Sequence, residues 1–377
     1  MRKEISLRDY LMVALLIGFF ILLIIDTDNV LSTGQKAIDL CLKVIIPSLL
    51  PFFILSRLIF NTGAIHIISR IFEPIIKPLF NLPGTAAFPI IAGWFSGYPA
   101  GAKYTADLYN KRLLTKPQAE RLLSFCNNSG PLFIVGAIGT GYFNSPELGT
   151  ILLICHILGS FTVGITQRFI FADKLQPEKL RTTEQKNKVT FSSHMLTDSI
   201  MDSINVLLQI CGTIIFFAVL VQTLETAGIF TGLSKLVGLI TKSDTSNYLR
   251  ILTAGGFEIT YGLFILSRSL LIPTNVKILL TSFLCGFGGI SVLTQVAGLC
   301  PKTIKLKKYI FGKLLHGFFS SIYTLLFLQN RSIPTMKYSY EIYSTDFPKI
   351  ISIVYILLLL FLISYLIKVG ISKKTKC

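Results

Sequence analysis

Long apolar runs separated by short polar interruptions predict a chain of membrane-crossing helices. About 20 apolar residues cross a bilayer, and on that measure spans are expected at Leu11 to Ile25, Ala37 to Phe60, Gly149 to Phe171, Ile200 to Leu224, Tyr309 to Leu328 and Ile350 to Val369. Ile65 to Phe80 is apolar on one side and carries His66, Arg70, Glu73 and Lys77 on the other, a pattern that suits a helix lying in the interface. Ala86 to Ala102 is too short and too rich in glycine and proline for a plain span, so a re-entrant hairpin bending near Gly93 to Pro99 is expected. Thr105 to Arg121 is polar enough to reach water.

Two stretches interrupt the apolar pattern with residues that break a helix: Gly97-Tyr98-Pro99-Ala100-Gly101-Ala102-Lys103 and Cys126-Asn127-Asn128-Ser129-Gly130-Pro131. A bilayer tolerates an unwound backbone only where protein or a water-filled cavity satisfies its amides and carbonyls. Such breaks are where many carriers hold their substrates.

The hydrophilic, mixed-charge stretch from Asp173 to Lys188 is the one obvious linker, and similar features follow in similar order on either side of it. Asn61-Thr62-Gly63-Ala64-Ile65 matches Glu225-Thr226-Ala227-Gly228-Ile229, and Ala92-Gly93-Trp94-Phe95 matches Ala254-Gly255-Gly256-Phe257. Ser124 to Pro131 falls opposite Ser282 to Ile290, giving an internal repeat of about 160 residues. The expected organisation is an N-terminal span and connection over 1–34, a first repeat over 35–172, a linker over 173–198, a second repeat over 199–330, and a C-terminal connection, span and basic tail over 331–377.

Composition agrees with a polytopic membrane protein: 52% of residues are hydrophobic and 15% charged, where a soluble domain carries about 25% charged. The formal charge of +17 sits at segment ends and in short loops, as cytoplasmic anchors do, without a basic domain that would suit nucleic acid. Both termini and the linker are therefore expected on the cytoplasmic side. Neither the seven cysteines nor the four histidines have metal-ligand spacing, and buried packing or interfacial roles are expected for the histidines. Nucleophile elbow, phosphate loop and paired-carboxylate motif are all missing from the sequence, so neither an enzyme nor a cofactor is expected.

The candidate chemistry is that of a binding site. Asn127, Asn128, Ser129 and Gly130 precede the apolar run from Leu132, where helix N–H groups would cradle a carboxylate; an ordinary N-cap has the same composition. Ser96, Gly97, Tyr98 and Lys103 flank the first bend, and Lys103 either pairs with an anionic substrate or marks a cytoplasmic segment end. In the second half, Glu258, Thr260, Gly288 and Ser291 stand at comparable positions. An acid in an apolar segment is costly unless paired, hydrated or protonated. That makes Glu258 the candidate for proton or sodium coupling, or else a partner of Arg268 or Lys103. The glycines around Gly288 serve an opposing wall or close helix packing. Lys43, Arg57, Asp202, Asn205 and Gln209 receive no role.

The segments Ile46-Pro47-Ser48-Leu49-Leu50-Pro51-Phe52, Gly97 to Lys103 and Cys126 to Pro131, the last followed by Gly136 and Gly139, resemble the YlbJ, or stage V sporulation protein V, family, over about Gln35 to Leu328. Its members carry nucleoside-recognition, or Gate, domains. The resemblance implies an all-α polytopic fold similar to concentrative nucleoside transporters, with re-entrant hairpins and broken helices in two pseudo-symmetric, inverted repeats. It further implies a carrier moving dipicolinic acid across the outer forespore membrane during sporulation. Dipicolinate is a flat aromatic dianion, suiting asparagine amides, a nearby cation and the ring of Tyr98 or Phe95. The Asn-Glu pairing of the nucleoside transporters is missing in recognisable form, as is a clear sodium site. A nucleoside permease and a non-transporting scaffold of the spore envelope are the alternatives. A homo-oligomer is compatible with either.

Overall fold

The computed structural model describes residues 6–171, 193–241 and 246–329. The span expected at Ile350 to Val369 and most of the linker lie outside them. Every regular element among the described residues is helical: α1 Leu7–Ile25, α2 Thr27–Leu40, α3 Ile46–Asn61, α4 Ile65–Phe80, α5 Ala87–Ser96, α6 Ala100–Asn110, α7 Lys116–Cys126, α8 Pro146–Ile170, α9 Ser193–Thr226, α10 Ile229–Thr241, α11 Ser246–Phe257, α12 Ile259–Arg268, α13 Thr274–Phe287, α14 Gly289–Leu299 and α15 Lys307–Gln329. A π-helical turn, Cys41–Ile45, joins α2 to α3, a second π-helical segment, Leu132–Tyr142, separates α7 from α8, and a 3-10 turn, Gly84–Ala86, leads into α5.

Six helical stretches among the described residues are long and apolar enough to cross a membrane: Leu7–Ile25, Thr27–Asn61, Pro146–Ile170, His194–Thr226, Thr274–Leu299 and Lys307–Gln329. Five correspond to expected spans. Thr274–Leu299 was not among them, because Gly286, Gly288 and Gly289 interrupt its apolar run. Helix α4 and the Gly84–Ser96 stretch meet at 94°, and α5 and α6 form the expected hairpin, with its turn at 97–99. The chain is an all-helical polytopic membrane protein with broken helices.

The order of elements repeats. From α3 to α8 the chain runs long helix, α4, α5, α6, α7, a segment at Leu132–Tyr142, then α8; from α9 to α15 it runs long helix, α10, α11, α12, α13, α14, then α15. The first joint of each series is a left-handed glycine, Gly63 with φ 81° and Gly228 with φ 72°. A side chain there would strain the backbone, which is why Gly recurs at both places.

Packing divides the chain into two units that interleave the halves of the sequence: Met1–Thr62, Val189–Ile272 and Gly288–Leu299 in one, and Gly63–Lys188, Pro273–Phe287 and Cys300–Cys377 in the other. In the first unit, Arg57 reaches Asp202 Oδ2 through Nε at 2.9 Å and Nη2 at 2.6 Å, so two residues left without a role form an ion pair between α3 and α9. Arg250 and Glu225 form another. A cluster of Val221, Phe230 and Ala254 is flanked by Leu224, Phe257, Tyr261 and Ile265.

In the second unit, small residues let helices meet closely, as expected where lipid provides no hydrophobic drive between them. A Cβ on Gly286 would collide with Gly317 of α15, and one on Gly312 with Ser124 of α7. The segment Thr105 to Arg121, polar enough to reach water, is exposed at its turn and buried toward its ends. Asn110, Lys111 and Arg112 at its turn are exposed, whereas Thr105, Glu120 and Arg121 are buried. Arg121 donates to the carbonyls of Phe80, Asn81 and Phe171; its positive charge serves carbonyl-rich chain ends inside the protein.

Candidate functional site at the end of helix α7

Helix α7 begins with a capping box, in which Thr115 and Gln118 satisfy each other's backbone N–H. It ends at Cys126, and residues 127–130 are non-helical before the π-helical segment starts. The last carbonyls of a helix need partners, and here Asn128 of the break, α8 and α15 supply them. Phe125 O accepts from Asn128 Nδ2 at 3.0 Å and from Ser160 Oγ at 2.7 Å. Asn127 O accepts from Lys313 Nζ at 2.8 Å. Gly93 of α5 and Gly101 of α6 lie so close that a Cβ on either would fall on the Cys126 carbonyl.

The turn of the α5–α6 hairpin meets this break directly. Gly97 has φ 84°, and a Cβ there would stand 2.8 Å from Gly130 N. Tyr98 donates its hydroxyl to Cys285 O at 2.9 Å, and Ser129 Oγ donates to the same carbonyl at 3.3 Å. Ser96, Asn127, Asn128 and Ser129 are all buried. The sequence-predicted residues Ser96, Gly97, Tyr98, Asn127, Asn128, Ser129 and Gly130 thus come together in one unit. Lys103 belongs to the same hairpin but gives its charge to Asp107, one turn further along α6, at 2.9 Å. Phe95, proposed with Tyr98 as a ring partner, is 61% exposed.

Four further residues complete the surroundings. His156 Nε2 accepts the Ser129 N–H at 3.1 Å, which places the imidazole proton on Nδ1. His316 Nε2 lies 2.8 Å from the His156 carbonyl; a carbonyl only accepts, so the His316 proton is on Nε2 and Nδ1 accepts from Lys313 Nζ at 3.0 Å. The two imidazoles stand 4.3 Å apart. Asn127 Nδ2 donates to Tyr309 Oη at 3.2 Å. Lys313, His316 and Tyr309 come from α15 and His156 from α8, more than 25 residues from the motif in sequence. Burial of the two histidines agrees with the packing role expected of them, but their hydrogen bonds tie them to the break. A lysine inside an apolar run, with histidine three residues on, was the signal available in the sequence.

The inventory of this site is unfinished. The buried atoms Asn127 Oδ1, Asn128 Oδ1 and His156 Nδ1 have no hydrogen-bond partner. A buried polar atom without a partner costs about 1–3 kcal/mol, and three around one helix break are a place where a ligand's polar groups would be met. Donor chemistry is provided by the His156 Nδ1–H and the Lys313 amino group, acceptor chemistry by the asparagine oxygens.

The predicted residues of the other unit are arranged differently. Glu258 is the single residue between α11 and α12. Its two carboxylate oxygens accept from Thr260 N at 3.1 Å and Tyr261 N at 2.7 Å, an N-cap at the start of α12. Arg268, one of its suggested partners, stands over the Phe264 ring at 4.3 Å. Gly288 and Gly289 both have φ 84°, and a Cβ on Gly289 would stand 3.2 to 3.3 Å from the carbonyl oxygens of Gly255, Gly256 and Phe257. Ser291 is buried in α14. Close helix packing is therefore what the second glycine cluster provides.

Residues 42–166 match the Gate family, described as nucleoside recognition. Over 318 residues the chain is 34% identical to the sporulation integral membrane protein YlbJ of Bacillus subtilis (strain 168), covering 78% of this chain and 76% of that one. The chain belongs to the YlbJ family. No solved structure matches it. Within this YlbJ-family chain the Gate match takes in the α5–α6 turn, the α7 break and His156, while Lys313 and His316 lie outside it.

Proposed function

We propose that the chain is a secondary carrier of a small organic anion, held where α7 breaks against the α5–α6 turn. The observation that carries this reading is the cluster of unsatisfied buried groups, His156 Nδ1–H with Asn127 Oδ1 and Asn128 Oδ1, beside the Lys313 amino group. A carboxylate oxygen accepts from the imidazole N–H and is attracted by the lysine. Rotating the Asn127 amide keeps a bond to Tyr309, whose hydroxyl both donates and accepts, and turns the amide NH2 toward the anion. The role is binding and passage, without catalysis.

Dipicolinate is the anion to try first, on the resemblance of the motifs. The sporulation name of the Bacillus relative supports a membrane of the sporulating cell, and the outer forespore membrane is the location this reading adopts. One observation favours a nucleoside instead: Asn128 Nδ2 is committed to Phe125 O, leaving Oδ1 as an acceptor suited to a base N–H or a hydroxyl.

Uptake of radiolabelled dipicolinate into proteoliposomes of the purified protein tests the proposal, with uridine and adenosine as competitors. Saturable uptake that is indifferent to nucleosides is expected. Competition by nucleosides together with indifference to dicarboxylates would establish the permease instead. Absence of uptake by folded, inserted protein under any ion gradient would leave a scaffold of the spore envelope.

A further inference from the structure

Lys313 lies in the second turn of α15, a helix apolar enough to span a membrane, and is 1% exposed. Three electron-rich faces surround its amino group: Asn127 O at 2.8 Å, His316 Nδ1 at 3.0 Å, and the Tyr98 ring with its centroid at 5.0 Å. The other titratable groups facing it are Cys126 at the end of α7, Cys285 on α13 and His156 on α8. None of these neighbours is a carboxylate.

Each of the three nearest is a cation ligand. The carbonyl belongs to a helix C-terminus, where the backbone dipoles leave partial negative charge; the imidazole nitrogen presents a lone pair; the ring presents its negative face. Carbonyl ends of broken helices at membrane depth are where carriers place a coupling metal cation. In this chain a side chain fills that place. A second cation at Asn127 O would meet the lysine's like charge at contact distance, at a cost that low dielectric magnifies.

We infer that Lys313 is a tethered cation occupying the ion site at the end of α7, so that the break is held by the chain's own charge and loading draws on no sodium or potassium ion. The inference rests on the carrier reading for its uptake consequence and stands apart from that reading in its consequence for stability.

The test has two arms, both on the full-length purified protein. In the first, melting temperature is measured in choline chloride, sodium chloride and potassium chloride for the wild type and for Lys313→Ala. The wild type is expected to be indifferent to the cation. The variant is expected to melt about 5 °C lower in choline and to recover in part when sodium, potassium or ethylammonium fills the vacated site. A wild type stabilised specifically by sodium, a variant as stable as wild type in choline, or a weakened variant that no cation rescues would each overturn the inference. Should the variant fail to fold, the wild-type comparison decides alone.

In the second arm, wild-type dipicolinate uptake is compared with external sodium and with choline. Rates within about twofold of each other are expected, and a sodium requirement would overturn the inference while leaving the carrier reading in place. Absence of uptake in both would remove the carrier reading and leave the melting arm to decide the identity of the cation.

Discussion

The α7 break and the α11–α12 break are two interruptions of short buried helices that solve their hydrogen bonding in opposite ways. At Glu258 the solution is local: one residue breaks the helix, and its own carboxylate caps the next one. At Asn127 to Gly130 the solution is distributed, with α8 and α15 both contributing, and three buried polar atoms still remain unmatched. A break that completes its own bonding needs no ligand. A break that recruits a lysine and two histidines and remains incomplete is the one where ligand chemistry is to be sought, although Glu258 is the more conspicuous residue in the sequence.

The largest test of this contrast is steric. Gly93→Ala or Gly101→Ala drives a methyl into the Cys126 carbonyl and should cost about 3 kcal/mol, seen as loss of folded protein in size-exclusion and melting assays. Gly256→Ala, before the Glu258 break, meets nothing within 4 Å and should leave both unchanged. Next, Asn127→Ala should lower substrate affinity about tenfold, a loss of about 1.4 kcal/mol. Its effect on melting should be small, because the change removes the unpartnered Oδ1 along with the bond to Tyr309. Glu258→Ala should do the reverse, costing about 1 kcal/mol of stability as lost N-caps do while changing uptake by less than about threefold. Smallest is the Lys103–Asp107 pair on α6: a double-mutant cycle with Lys103→Gln and Asp107→Asn should give a coupling of about 0.5 kcal/mol, with little change in uptake. A large uptake defect from Lys103→Gln at normal stability would return that residue to the substrate site.

The breaks themselves were legible in the sequence because their residues have local physical reasons. Gly63, Gly97 and Gly228 adopt positive φ, and Asn127-Asn128-Ser129-Gly130-Pro131 is composed of residues that leave a helix readily. The repeated order of elements was legible for the same reason, since the glycine joints recur. Spans were legible from length and hydropathy, except Thr274–Leu299, where glycines that serve close packing disguise an apolar crossing. The burial of Arg121 was not legible, because charge signals water only when no carbonyl-rich chain ends await it. The partners of the break were not legible, since His156, Lys313 and His316 meet Asn127 to Ser129 through tertiary contacts. What sets Lys313 apart from an ordinary snorkelling lysine is its depth in a packed helix, which periodicity does not report.

Equilibrium binding of radiolabelled dipicolinate to the purified wild type, Asn127→Ala and Glu258→Ala proteins, each verified as folded, tests the central claim most directly. The account predicts saturable binding by the wild type, retained in Glu258→Ala and reduced about tenfold in Asn127→Ala. Full binding by Asn127→Ala together with loss in Glu258→Ala would contradict it and move the site to the α11–α12 break.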